Sequence, residues 1–540
     1  MSPKITLNAK LSLAIFGLAA IPMLGQKLPP KPERPNILFI AVDDLKPVLG
    51  CNGGKIIKTP NIDRLAKKGT LFTMSYCQQA VCGPTRASLL TGTRPDVTKV
   101  WDLKTQMREV NPKTLTFPEY LISKGYSTQG LGKIFDPRDV DENLDRPSWS
   151  VPFYKEADSY YSKVTGKPSL YYQKPETKAL VDKYQKEGED KGLTKAKLED
   201  YIRARISPSV ECIDVPDNAY EDGANALKAK DLLSQLGKKE GPFFLAVGFH
   251  KPHLPFVAPK KYWDMYKRDE MPIASYQKAA LNSPNIAYHN SSELRRYTDI
   301  PPLTSFTDQS VGINLPIDKQ KELIHGYYAS VSYSDAQIGI LLDAIDSLGL
   351  SKNTIIVLWG DHGWHLGDHD LWCKHTNFEQ ATHAPLIFSA AWIKPSVSNS
   401  LAEFVDVFPT LCDLSGISIP KNLDGKSLVP AMRNPKTKIK DYAVSQYPRS
   451  GEANARLGWD TGKYMGYSIR TERYRYTIWM GNNFRSTQPF NKDWVSAEEL
   501  YDYKKDPLET VSVINDKKYS SIAGDLRAKM QKFLKSQVKN

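Results

Sequence analysis

The sequence predicts an α/β protein, with a large mixed, mostly parallel sheet sandwiched by helices and a smaller C-terminal α+β subdomain. Three observations point there. Apolar runs of strand length, such as PNILFIAVDDL at 35–45, lack the alternation of a half-solvated strand and read as parallel strands buried on both faces. Such runs alternate with helical segments over most of the chain. Near residue 435 this order breaks and an alternating, antiparallel-type pattern takes over.

Each element has a local reason. TPNIDRLAKKG is a helix with Thr59 as N-cap, Pro60 at its first position and Gly69 as its stop. FPEYLISKGYSTQGLGKIF repeats helix, glycine, strand. NALKAKDLLSQLGKKEGPFFLAVGFHKPH is a helix, a Gly-Pro turn and a buried strand ending at His250. The segment from Tyr327 to Gly363 is a long helix, a short loop and a strand ending at Asp361 and His362. FVDVFPTLCDLSG is a further helix, YSIRTERYRYTIWM an antiparallel-type strand and SIAGDLRAKMQKFLKSQ a last amphipathic helix. The predicted division is a leader over 1–26, a catalytic α/β domain over 33–435 and the α+β subdomain over 436–540. Residues 137–215 and 265–320 are polar and read as insertions rimming a site.

Composition narrows the function classes. The chain has 540 residues, 41% apolar and 25% charged, which excludes a disordered or multi-span membrane protein. Lys4 and Lys10, an apolar run of roughly 15 residues and Gly25 have the layout of a secretory signal peptide, too short to span a bilayer comfortably. The net charge of +13 is scattered rather than blocked, so no nucleic-acid arm is expected, and an exported basic protein is suited to an anionic polymer. No membrane association is expected once the leader is cleaved. Cysteines stand at 51, 77, 82, 212, 373 and 412 with no C-x-x-C pair, which excludes a zinc ribbon. Asn290 heads the only N-x-[ST] sequon, few for a glycosylated lysosomal enzyme, so a bacterial periplasmic or secreted protein is expected.

Three strands finish in polar chemistry: Asp43-Asp44, His250 and Asp361-His362. In open α/β sheets, ligands bind beyond the carboxyl ends of the strands. Singly, each aspartate reads as a turn or helix cap. Together the carboxylates repel unless a cation sits among them, and oxygen-rich ligation suits a hard ion, Ca²⁺ or Mg²⁺. In QQAVCGPTRASLLTGTRPD, Pro84 takes the place of a first helical residue, so Cys82 lies at a helix N-terminus, where the dipole favours an anion. Arg86, one turn on, can reach back to it. A thiol in that field has a lowered pKa and is a candidate nucleophile; the redox alternative is a disulfide with Cys77.

CGPTRASLLTG resembles the C-x-P-[ST]-R…L-T-G signature of type I sulfatases, in which the cysteine is oxidised to formylglycine. The resemblance extends through NILFIAVDDLKP, GKIF, GFHKPHLPF, DHGWHLGDHDLWCKHTNF, ATHAPLIF, SQYPR and MGYSIRTERYRYTIW. Within the family the chain is most similar to the iduronate-2-sulfatase branch. It implies an alkaline-phosphatase-like fold, maturation by a formylglycine-generating enzyme and a sulfated oligosaccharide or polysaccharide substrate. It also implies Ca²⁺ held by Asp43, Asp44, Asp361, His362 and an oxygen of the modified Cys82, with Arg86 orienting that residue. Lys133 and Lys374 would grip sulfate oxygens, and His250 would protonate the departing sugar oxygen. A hydrated aldehyde has two hydroxyls, one to attack sulfur and one whose deprotonation expels sulfate, with cations stabilising the growing charge.

One position departs from the family. GKIFDP has Asp136 where the branch has a histidine touching the formylglycine. A carboxylate there is a candidate base, though its charge opposes an anionic ester unless it points away. Weaker candidates surround the site. His253 is a substrate contact or a turn histidine, and Trp364 and His365 are candidates to line a sugar subsite. His369 and His383 read as packing groups. Arg470, Arg473 and Arg475 read as a solvated strand face, though one of them could meet a uronate carboxylate. The expected activity is hydrolysis of a 2-O-sulfate on a uronic acid of heparan or dermatan type. The alternatives are another sulfated sugar, algal ones included, a phosphate or phosphonate ester, or a polysaccharide-binding protein without turnover.

Overall fold

A computed structural model describes residues 28–155, 166–303, 315–449, 464–481 and 490–537. The leader lies outside them. Seven strands form the central sheet, in the order Ser396–Ser398, Thr70–Phe72, Leu386–Ser389, Thr354–Gly360, Asn36–Val42, Phe243–Phe249 and Ser127–Gly132. Only Leu386–Ser389 runs antiparallel to its neighbours. The apolar runs are long because both faces are covered: Leu38, Ile40 and Val42 join one core and Ile37, Phe39 and Ala41 the other. Helices Glu221–Leu236 and Ile317–Ser347 pack on the first face, and Cys82–Thr91 and Val407–Ser415 on the second. Each fully buried Leu, Ile or Phe contributes about 1.5–3 kcal/mol relative to exposure.

Register builds the site. Val42 stands beside Gly360 on one side and Phe249 on the other, and Gly132 stands beside Gly248. Asp361, Asp43, His250 and Lys133 therefore leave four adjacent strands at one level, as the ends of a parallel sheet require. Glycines permit the last of these. Gly132 is left-handed (φ 70°), and a Cβ on Gly248 would lie 2.1 Å from the Lys133 carbonyl oxygen. Gly248→Ala is expected to destabilise the fold by about 1–3 kcal/mol through this overlap and to displace Lys133; thermal unfolding alongside steady-state kinetics checks both.

Helix Pro60–Lys68 starts after Thr59 and stops at Gly69 as the sequence predicts. Its free N–H groups are capped from a distance, however. Asn61 and Ile62 donate to the carboxylate of Asp335, on helix Ile317–Ser347, at 3.1 and 2.7 Å. The last sheet has the order Ala443–Arg449, Tyr464–Arg470, Tyr474–Gly481, Val495–Asp502, with helix Ser520–Ser536 against it. YSIRTERYRYTIWM is thus two strands of a hairpin rather than one. Among the described residues, no helix is long and apolar enough to cross a membrane.

Candidate active site

Helix Cys82–Thr91 begins at Cys82 itself, two residues earlier than Pro84 suggests, and is buried throughout. Its Arg86 does not reach back to the thiol. The guanidinium donates to Asp361 Oδ2 (3.1 Å), Asp43 Oδ1 (3.0 Å) and the carbonyls of Ile134 (3.1 Å) and Lys133. One buried cation thus ties three strand ends together, and its charge is held on by the two carboxylates. Trp359 lies beneath it, 5.5 Å from ring centroid to guanidinium.

The thiol behaves differently from the expectation. Burial, reinforced by the charge of Asp43, pushes Cys82 well above the ordinary thiol range, overriding Lys133 and Lys374. Cys82 is therefore un-ionised at neutral pH. All six cysteines are free, so no disulfide joins Cys77 to Cys82.

Carboxylates crowd the same point. The ligand atoms of Asp44, Cys82, Asp361 and His362 lie within 4.8 Å of one another, and those of Asp43, Asp44, Cys82 and His253 do likewise. Burial and the neighbouring Asp43 push Asp361 up to about 7. Asp43 feels the same burial, but Lys133 and Arg86 hold it well below the carboxylate range. His362 shows what the cluster suits. Its Nδ1 lies 3.0 Å from the Gly363 carbonyl, which can only accept, so the proton is on Nδ1 and Nε2 presents a lone pair. Burial holds the ring neutral, pushing it down to about 4. That lone pair faces Asp44 Oδ1 at 3.3 Å and Asp361 Oδ1 at 3.7 Å, an arrangement of donors that fits a divalent cation.

Two lysines close on the carboxylates. Lys133 pairs with Asp43, and Lys374 bonds Asp44 Oδ1 at 3.0 Å and Glu293 Oε1 at 3.1 Å. Trp364 is fully buried behind Lys374, 4.9 Å from its ammonium, and packs on His253 and Phe256. The subsite role expected for Trp364 and His365 gives way to bracing, since His365 is buried too and bonds Thr376. His253 remains on the cleft wall, 3.2 Å from Glu293. His369 stacks on Phe378, and His383 packs on Tyr76.

Asp136 is among the residues around the cleft, with its carboxylate fully buried. Arg138 forks it, Nε to Oδ1 at 2.8 Å and Nη2 to Oδ2 at 2.7 Å. Burial pushes its pKa up, but these bonds and the charges of Lys133 and Arg138 outweigh it and hold Asp136 at about 2. So weak a base is ill suited to take a proton near neutral pH. Arg470 and Arg475 are not a solvated face either: both are buried on Glu379, and only Arg473, paired with Asp502, is substantially exposed.

Sequence reasoning missed two carboxylates. Asp222, at the start of helix Glu221–Leu236, accepts from the backbone N–H of His250 (2.8 Å) and Lys251 (2.7 Å), and stands 3.6 Å from His250 Nδ1. Glu293 joins Lys374 to His253. Neither carries a local signal, because their partners lie 28 and 81 residues away.

Comparison with known proteins places this geometry. A family model described as Sulfatase matches residues 35–417, and one described as N-sulphoglucosamine sulphohydrolase, C-terminal, matches 367–536. Iduronate 2-sulfatase of Homo sapiens is 34% identical over 91% of this chain and 92% of its own. A sulfatase of Formosa agariphila is 28% identical over 93% and 87%. Among solved structures, the phosphonate monoester hydrolase of Agrobacterium radiobacter superposes with a TM-score of 0.66 at 23% identity, covering 93% of this chain and 96% of the other.

Proposed function

The chain belongs to the sulfatase family, and on that premise we propose that it removes the 2-O-sulfate of a uronic acid in sulfated glycosaminoglycan fragments. It is a sulfuric ester hydrolase with an alkaline-phosphatase-like fold. The observation carrying the substrate reading is the 34% identity to iduronate 2-sulfatase over nine-tenths of both chains. Export to a bacterial periplasm or medium, after maturation by a formylglycine-generating enzyme, completes the reading; the leader-like N-terminus and the burial of Asn290, the lone sequon, support it.

The chain's own residues divide the work. Lys133 and Lys374, which line the cleft together with Cys82, hold the sulfate oxygens in this reading. His250 gives a proton to the departing sugar oxygen, with Asp222 fixing its backbone and standing 3.6 Å from its ring. Arg86 keeps Asp43 and Asp361 in place. Asp136, neutralised by Arg138, adds little repulsion toward the ester. With residue 82 oxidised to formylglycine and calcium held by Asp43, Asp44, Asp361 and His362, the site gains a hydrated aldehyde and a Lewis acid.

Paired assays on 4-nitrophenyl sulfate and 4-nitrophenyl phenylphosphonate test the reaction class. Preference for the sulfate supports the reading, and preference for the phosphonate overturns it. Asp222→Asn places an amide N–H₂ against one of the two backbone donors, so kcat is expected to fall roughly tenfold or more with KM little changed; steady-state kinetics decide. Dialysis against EDTA is expected to lower the thermal midpoint and calcium to restore it, the ion adding about 2.7 kcal/mol of stability at a hundredfold excess over Kd.

A further inference from the structure

The cleft over Cys82 does not end at the reacting ester. Its volume is about 780 Å³, toward the upper part of the roughly 300–1,000 Å³ typical of sites for drug-sized ligands. A single sulfated ring between Lys133, His250 and Lys374 leaves much of it unfilled. The outer wall comes from the helical pair Pro175–Asp190 and Lys195–Arg203, within a stretch read from sequence as an insertion. Lys178 and Arg203 line the cleft from these helices, together with the carboxylates of Asp182 and Glu199.

Tyr171 marks the middle of the path. The residue is 42% exposed and lines the cleft. Its hydroxyl feels the charges of both Arg203, on the outer wall, and Lys133, on the inner one. Arg203 is partly exposed (32%) and is steadied by Glu199 one turn back. A planar guanidinium and an aromatic ring lining one cleft suit a sugar ring bearing a carboxylate or sulfate.

We infer that Tyr171 and Arg203 form a second subsite, which takes the sugar following the sulfated uronate and reads an anionic group on it. This rests on the sulfatase reading, and it adds a preference for multiply charged fragments over single sulfated rings. The helical pair would then set substrate choice without touching the reacting atoms.

The test uses four probes: 4-nitrophenyl sulfate, two 2-O-sulfated uronate–hexosamine disaccharides differing only in a hexosamine sulfate, and a tetrasaccharide whose only further anion is the next uronate carboxylate. Arg203→Ala is expected to raise KM roughly tenfold for the disulfated disaccharide, leaving its kcat and both constants for 4-nitrophenyl sulfate within about twofold. Arg203→Lys should recover part of the loss. A KM increase confined to the tetrasaccharide would place the anion that is read one sugar further on and overturn the subsite as assigned. Calorimetric affinities of the same sugars for Cys82→Ala protein, with and without Arg203→Ala, separate binding from turnover. If wild-type enzyme releases no uronate sulfate yet the affinities still depend on Arg203, the uronate reading falls and the subsite stands. Equal affinities and equal KM values with and without Arg203, on every charged sugar, overturn the subsite.

Discussion

Protein retaining an unmodified Cys82 is expected to hydrolyse sulfate esters at least about 10⁴-fold more slowly than converted protein. Raising the pH to 9 should not restore it. An ordinary thiol, with a pKa of about 8.5, would be mostly ionised there and its activity would climb. In the metal-free site burial and the Asp43 charge raise the Cys82 pKa well above that range, so in EDTA-dialysed protein the thiolate gains population only at still higher pH. The sign is what matters: a helix N-terminus alone would lower the pKa and shift activity toward acid. Cys82→Ala should match the unmodified protein in rate. Its thermal midpoint should stay close to wild type, since one sulfur is lost from a site otherwise held by Arg86 and its carboxylates. An alkaline rise in activity of the unmodified protein would show that the thiol itself attacks.

Arg86→Ala is the substitution with the largest expected cost in stability. It leaves two buried carboxylates, Asp43 and Asp361, and the carbonyls of Lys133 and Ile134 without the cation that joins them. Breaking a buried pair by removing one partner costs about 3–5 kcal/mol, and here one guanidinium serves two carboxylates. Arg86→Lys keeps the charge, but a single ammonium cannot span four acceptors, so an intermediate loss is expected. Thermal and urea unfolding measure both. A loss below about 1 kcal/mol for Arg86→Ala would mean that Lys133 already balances Asp43 and that Arg86 contributes mainly to activity.

Much of this architecture was legible because burial leaves a mark on composition. The strands ending at Val42, Phe249 and Gly360 are apolar at nearly every position, and each is followed at once by Asp or His. Local pattern says that such groups lie beyond a sheet edge; that all three share one level is a matter of register, which only the folded sheet fixes. Charge was harder to place. Arg470 and Arg475 look like a wet strand face until Glu379, about ninety residues earlier, is brought against them. The turn at 471–473 contains neither glycine nor proline, so nothing in the sequence divides its two strands. Trp364 looked available to a sugar because it follows the cluster by two residues, yet Lys374 and Phe256 enclose it. The lowered pKa expected of a thiol at Cys82 is the part that differs: the helix end is visible in sequence, whereas the burial that raises the pKa comes from distant segments.

The most direct test is sulfate release from a 2-O-sulfated uronate disaccharide by protein whose Cys82 peptide mass already shows conversion to the aldehyde. Stoichiometric release of inorganic sulfate, lost in Cys82→Ala, is the predicted result. No release from that sugar, with 4-nitrophenyl sulfate still hydrolysed, would contradict the uronate assignment and leave a sulfatase of other specificity.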